Sequence, residues 1–235
     1  MPFSTPAAIM PNPCYLQAYR TILLTQPDIK DRILYLCKME YDVYPLVKYV
    51  TKQLELTEEE QEIFASLLRV KKIKKRQFID QPGFVSKNWN FVIQGSLRGY
   101  FIGNDAQEHT ISLAIEDGFI GDAGSFLLQE PGTLYIEALE DCVLIQICYE
   151  NEALLFKKIP KFERYFRLRS QQIAVMMQKR VISNLSLTAE QRYEEFANKY
   201  PAFIQRIPLY IIASYLGMTR EFLSKIRNQK INSKK

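Results

Sequence analysis

The chain has 235 residues, 47% of them hydrophobic, which suits one large or two ordinary domains with a buried core and excludes disorder as the default. No segment approaches the roughly 18 to 20 consecutive apolar residues of a membrane span, and the N-terminus has neither a basic leader nor a sustained apolar stretch, so a cytoplasmic protein is expected. The net charge of +5 hides an asymmetry: residues 152–235 hold 17 Lys or Arg against 6 Asp or Glu, whereas residues 1–151 hold 14 against 20.

A cationic third on an acidic body favours a polyanionic partner such as nucleic acid; a merely solvated basic face is the alternative. Cys14, Cys37, Cys142 and Cys148 share no short paired spacing, so neither a disulfide framework nor a zinc site is expected. The single histidine, His109, argues against a metal-dependent β-barrel enzyme, which needs two or three converging imidazoles. No nucleophile, base and orienting residue are spaced for catalysis, and no enzyme, metal or cofactor is expected.

In chain order, residues 1–38 contain Pro2, Pro6, Pro11 and Pro13 and read as an extension, weakly ordered or not native, with Met39 as the natural start. Thr57 with Glu60 three residues later has the form of a capping box and opens an amphipathic helix through Ile63, Phe64, Leu67 and Leu68. The basic run Lys71 to Arg76 then reads as a solvated strand edge or loop. Short β-rich runs follow at Trp89–Gln94, Leu97–Ile102, His109–Ala114, Thr133–Leu139 and Cys142–Cys148. Gly95-Ser96, Gly103-Asn104-Asp105, Glu116-Asp117-Gly118 and Glu130-Pro131-Gly132 separate them and supply the turn chemistry of tight reversals. Such a series predicts an antiparallel sandwich or roll.

Beyond Cys148 the pattern turns helical. Pro160 is placed to start a long helix towards Asn184, on which Phe162, Phe166, Ile173, Met176, Met177 and Val181 recur at spacings of three, four or seven. Its apolar stripe needs covering by the chain's own β domain or by a seam shared with a second copy. Phe166, Ile173, Met177 and Arg180 fall on that seam.

Residues 207–226 read IPLYIIASYLGMTREFLSKI. Two helices crossing through a tight turn need a small residue where they approach, a residue tolerant of left-handed φ in the turn, and an apolar anchor on the second helix. Ala213, Gly217 and Leu223 fill these places, with Ile212, Leu216 and Ile226 completing a small core. Thr219 suits the N-cap of the second helix and Glu221 its first turn. As a recognition helix this segment would offer Arg220, Glu221, Ser224 and Lys225 to base edges. Lys225, Arg227, Lys230, Lys234 and Lys235 would hold phosphates.

The whole arrangement resembles the Crp/Fnr (cyclic-AMP receptor protein / fumarate-nitrate regulator) family of transcription regulators over roughly Tyr44 to Arg227. GMTREFLSKIR carries the strongest likeness, with FVIQGSLRGYF, FIGDAGSF, YIEALEDCVLIQI and LTAEQRY similar to its β-roll and hinge segments. The resemblance implies an α+β fold: an N-terminal antiparallel β-roll of the cyclic-nucleotide-binding jelly-roll type, a long dimerisation helix, and a C-terminal helix-turn-helix with a reduced or absent wing. It implies a β-roll sensor domain with flanking helices over 39–151, a linker and dimerisation helix over 152–185, and a DNA-binding domain over 186–235. The implied partners are double-stranded DNA, a second copy of the chain, RNA polymerase and a small-molecule effector of unknown identity.

The family's cyclic-nucleotide positions match Gly121-Asp122, Gly132-Thr133 and Met177-Gln178. These six residues mark the expected effector pocket. The family's phosphate-binding Arg is replaced by Gly132, so cyclic AMP is not the expected effector. The iron–sulfur branch needs a cysteine cluster that Cys14 and Cys37 do not form, and His109 on a strand is expected to be structural or solvent-facing rather than a haem ligand. The competing reading is a signalling module that acts through a protein partner without binding DNA. It predicts no salt-dependent association with duplex.

Overall fold

The computed structural model describes residues 42–232. The extension over 1–38, Met39, Cys14, Cys37, Lys234 and Lys235 lie outside the described residues. Two helices open the described chain, α1 (Tyr44–Thr51) and α2 (Glu58–Ser66). The capping box holds α2 as expected: Thr57 Oγ1 accepts from Glu60 N–H, and the Glu60 carboxylate accepts from Thr57 N–H. The helix stops at Ser66, short of the expected Leu68, because Leu68–Ile73 is already strand β1 and pairs antiparallel with the chain's later segment 142–147. Val70 and Ile73 favour the pleated surface, and Lys71 and Lys72 stay exposed on the sheet's outer edge, where unpaired backbone is best shielded by charge.

The remaining strands are β2 (Phe78–Asp80), β3 (Asn88–Gln94), β4 (Leu97–Ile102), β5 (Glu108–Ala114), β6 (Phe119–Ile120), β7 (Tyr135–Ala138) and β8 (Cys142–Cys148). They form two sheets, ordered β1-β8-β3-β6 and β2-β7-β4-β5. Side chains of both sheets, including Val92, Leu97, Ala114, Ile136, Ala138 and Leu144, fill the space between them. The five β-rich runs of the sequence correspond to β3, β4, β5, β7 and β8. Strands β1, β2 and β6, and a short helix α3 (Ala123–Leu128), add to them. Gly95 and Asp117 take positive φ, but in two turns the left-handed residue is Ala106 or Gln129 rather than the nearby glycine. Asp105 Oδ1 accepts from Gln107 N–H and closes the first of these turns locally.

Helices α4 (Tyr149–Lys158) and α5 (Lys161–Ser186) follow β8, with Pro160 at the N-cap of α5 as expected. Leu155, Ile159, Phe162 and Tyr165 join α1, α2 and the outer face of β8 and β3 in a second core. With both faces covered, β8 is buried at every position instead of at alternate ones. Farther along α5 this support ends: every residue from Gln171 to Lys179 is exposed. A third core lies in the C-terminal helices α6 (Ala189–Lys199), α7 (Pro201–Arg206), α8 (Leu209–Tyr215) and α9 (Arg220–Asn232). No described helix is long and apolar enough to cross a membrane.

Candidate nucleic-acid interface

Helices α8 and α9 meet as the spacing requires. Ile212, Ala213, Leu216, Leu223 and Ile226 are buried together, and Gly217 turns the chain between the helices at φ +67°. A side chain there would find open space, so backbone conformation and not crowding makes glycine the fitting residue. Thr219 Oγ1 accepts from Phe222 N–H and caps α9. With Leu223 and Ile226 turned inward, the opposite face of α9 carries Arg220, Glu221 and Lys225 exposed, with Ser224 and Arg227 half-buried beside them. Lys230 lies on α9, but its side chain is outside the described residues, as is Lys234. Among the described residues no strand follows α9.

The helix-turn-helix does not hang free. Helix α8 lies along β5, the edge strand of its sheet, and Ser214 bridges them: its Oγ accepts from Thr110 N–H at 2.9 Å and donates to Glu108 C=O at 2.8 Å. Between Gly99 and Tyr100 the β4–β5 register slips by one residue, leaving Ile111 as a bulge. Arg180 of α5 takes up the backbone that this irregularity leaves: its guanidinium donates to Ile111 C=O at 2.6 Å, Thr110 C=O at 3.3 Å and Tyr215 C=O at 2.8 Å. It also stacks on the Tyr215 ring at 3.9 Å. The sequence placed Arg180 in an intermolecular seam. Instead, three backbone acceptors and one aromatic face hold it within the protomer.

Two further arginines complete this union. Arg206 pairs with Glu116, and with Glu140 at 2.6 Å, at the ends of two roll turns. Burial pushes the Glu116 carboxyl up, but the Arg206 guanidinium and Gly95 N–H more than offset it and hold the group below the usual carboxylate range. Arg192 donates to Leu187 C=O and Leu216 C=O, tying the end of α5 to the helix-turn-helix turn. At the base of β5, Arg98 is buried and grips Glu108 at 2.6 Å and Glu137 at 2.7 Å, fixing the strand that Ser214 reads. None of Ser214, Arg192 or Arg206 was singled out from the sequence, because their partners lie in distant segments.

The expected effector residues divide. Gly121, Asp122, Gly132 and Thr133 meet where β6 runs into α3, while Met177 and Gln178 stand exposed on α5, outside this cradle. Asp122 is 6% exposed and its carboxylate is fully engaged: one oxygen accepts from Ser125 N–H at 3.1 Å, the other from Thr133 N–H at 3.0 Å and Leu134 N–H at 3.1 Å. A Cβ on Gly132 would stand 2.8 Å from that second oxygen. Three backbone donors that could face an anionic ligand thus face the chain's own carboxylate. The Asp122 N–H in turn reaches Asp80 at 3.3 Å, and burial raises the Asp80 carboxyl above its usual value. His109 is half-exposed on β5 beside Asp105 and Phe101, and among the described residues no group of three or more His, Cys, Asp or Glu is placed to hold a metal.

No protein-family model and no curated protein matches the chain. Solved structures do. The c-di-GMP-responsive global regulator CLP of Xanthomonas campestris aligns at a TM-score of 0.60 with 16% identity, covering 75% of this chain and 93% of that one. FixK2 of Bradyrhizobium japonicum aligns at 0.60 with 15% identity, over 71% of this chain and 85% of its own. A mutant of CooA from Carboxydothermus hydrogenoformans aligns at 0.58 with 16% identity, over 83% and 86%. These neighbours are Crp/Fnr regulators, and the fold of this chain is theirs: an antiparallel β-roll, a long helix and C-terminal helices.

Proposed function

We propose that the chain is a cytoplasmic, sequence-specific DNA-binding transcription regulator of the Crp/Fnr type that binds a palindromic operator as a homodimer. The observation that carries this reading is the division of α9, which buries Leu223 and Ile226 and leaves Arg220, Glu221 and Lys225 open. Arg220 donates to guanine, Glu221 accepts from cytosine, and Lys225 with Arg227 neutralises phosphate. Dimerisation is supported by the uncovered midsection of α5, where Ile173, Val175, Met176 and Met177 stand in solvent and need a second helix to bury them. The paired recognition helices then lie ~34 Å apart, one turn of duplex. The effector is a small molecule without a phosphate, because the cradle's donors are already taken by Asp122.

Selection of bound duplexes from a random pool tests the reading, and an inverted repeat is the expected product. Arg220→Ala should relax base preference at one position per half-site, while Lys225→Ala should weaken all duplexes alike and lower the salt slope. Met177→Lys should yield a monomer in sedimentation. If no duplex is enriched and binding is insensitive to salt, the signalling-module reading replaces this one.

A further inference from the structure

Phe222 is a large apolar side chain in the first turn of α9, yet it is 39% exposed. A single exposed ring needs no explanation by itself; its address gives it meaning. Its backbone N–H is pinned by Thr219 Oγ1 at 3.2 Å, so the residue is fixed at the helix start, the part of such a helix that enters a major groove. The helical phase is set by buried Leu223 and Ile226. At 100° per residue, Phe222 stands on the flank of the exposed face, one turn before Lys225 and on the side opposite Arg220. The other exposed side chains of α9 are charged or polar: Arg220, Glu221, Lys225, Asn228 and Gln229. Phe222 is therefore the one apolar side chain among the exposed residues of α9, which matches a groove whose one apolar group is the 5-methyl of thymine.

We infer that Phe222 is a specificity-determining residue that packs on the 5-methyl group of a thymine in each half-site. The inference rests on the DNA-binding reading above and extends it, since Arg220 and Glu221 distinguish G·C pairs by hydrogen bonds whereas Phe222 distinguishes thymine by shape. Burying one methyl group predicts a preference for thymine over uracil of about fourfold per half-site.

The test uses the full chain and the duplex enriched from the random pool, with each thymine replaced singly by uracil so that one methyl is removed and every hydrogen bond is kept. Wild type should lose about fourfold at one symmetry-related thymine per half-site and nothing elsewhere. Phe222→Ala should bind the thymine duplex as weakly as wild type binds the uracil one, and should be indifferent to uracil at that position. Phe222→Leu, which keeps an apolar contact and the helix, should retain part of the preference. A wild type indifferent to uracil at every thymine, or a Phe222→Ala protein that keeps the preference, overturns the assignment while leaving DNA binding intact. If no duplex is enriched at all, the DNA-binding reading itself falls, and this one with it.

Discussion

Thr110 and Ser214 are 104 positions apart, and the backbone N–H of the first donates to the side-chain oxygen of the second at 2.9 Å. Through the same hydroxyl, which also donates to Glu108 C=O, the roll's edge strand and the first helix of the helix-turn-helix become one surface. An open sheet edge invites pairing with another chain, and here α8 covers it. Ser214→Ala leaves one donor and one acceptor without their partner, a cost of about 1 to 2 kcal/mol. Hydrogen exchange at the Thr110 amide should then accelerate by roughly tenfold. If Thr110 exchanges equally fast in wild type, helix and strand are not joined in solution.

The second tie, Arg206 with Glu116 and Glu140, carries a pH signature. The Glu116 carboxyl sits below its ordinary value of 4.5, so its contribution to stability is complete above that value and disappears as pH falls through the lower, folded-state value. The thermal stability gap between wild type and Arg206→Ala should be constant from about pH 6 to 8 and close below the carboxylate range. The pair is partly exposed, so the gap should be small and should shrink with added salt. A gap undiminished near pH 3 would assign the arginine's effect to packing.

How far these features were legible follows from how local they are. The helix-turn-helix was fully readable, because Ala213, Gly217, Thr219 and Leu223 act on neighbours within one or two turns, and the structure places each as the spacing required. The five apolar strands were readable as runs between turn residues. Strand β1 was readable only at its basic end, where Lys71 and Lys72 lie on the strand edge that the basic run allowed; its start was not, because Leu67-Leu68 continues the helical period of α2 and only pairing with β8 pulls Leu68 into a sheet. Arg180 shows the limit most plainly: heptad counting sees the phase of α5, whereas the residue's fate is set by a bulge at Ile111 and a helix end at Tyr215, neither of which the count contains. The nearness of Gly121, Asp122, Gly132 and Thr133 agrees with their being read as one group, but nothing local in the sequence told that Asp122 would satisfy the loop's donors itself.

That self-satisfied cradle makes a sharp prediction. Asp122→Ala removes the cap of α3 and the acceptor for Thr133 and Leu134, and should destabilise the roll by about 2 to 4 kcal/mol. Asp122→Asn should cost less than Asp122→Ala but still destabilise, because the amide oxygen can keep the bonds from Thr133 and Leu134 N–H only by turning its NH2 towards the Ser125 N–H. Titration calorimetry of wild type with cyclic AMP or cyclic GMP should give no saturable heat. A saturable isotherm would show that a ligand phosphate displaces the Asp122 carboxylate.

Glu152 supplies the remaining test, on stability alone. It lies in the first turn of α4, is 7% exposed, and burial pushes its carboxyl up to about 7 from 4.5. The folded chain therefore holds a proton that the unfolded chain releases, and between those two values stability falls as pH rises. Below pH 4.5 both states are protonated and the group costs nothing; above about 7 the folded state must ionise a buried carboxyl, and the cost reaches its plateau. Glu152→Gln removes the ionisation while keeping the shape. It should be neutral at acid pH and should stabilise the protein by up to about 3 kcal/mol at pH 8, read as a rise in the urea midpoint. A variant less stable than wild type at pH 8 would mean that the ionised carboxylate has a cationic or hydrogen-bonding partner in solution that offsets its burial.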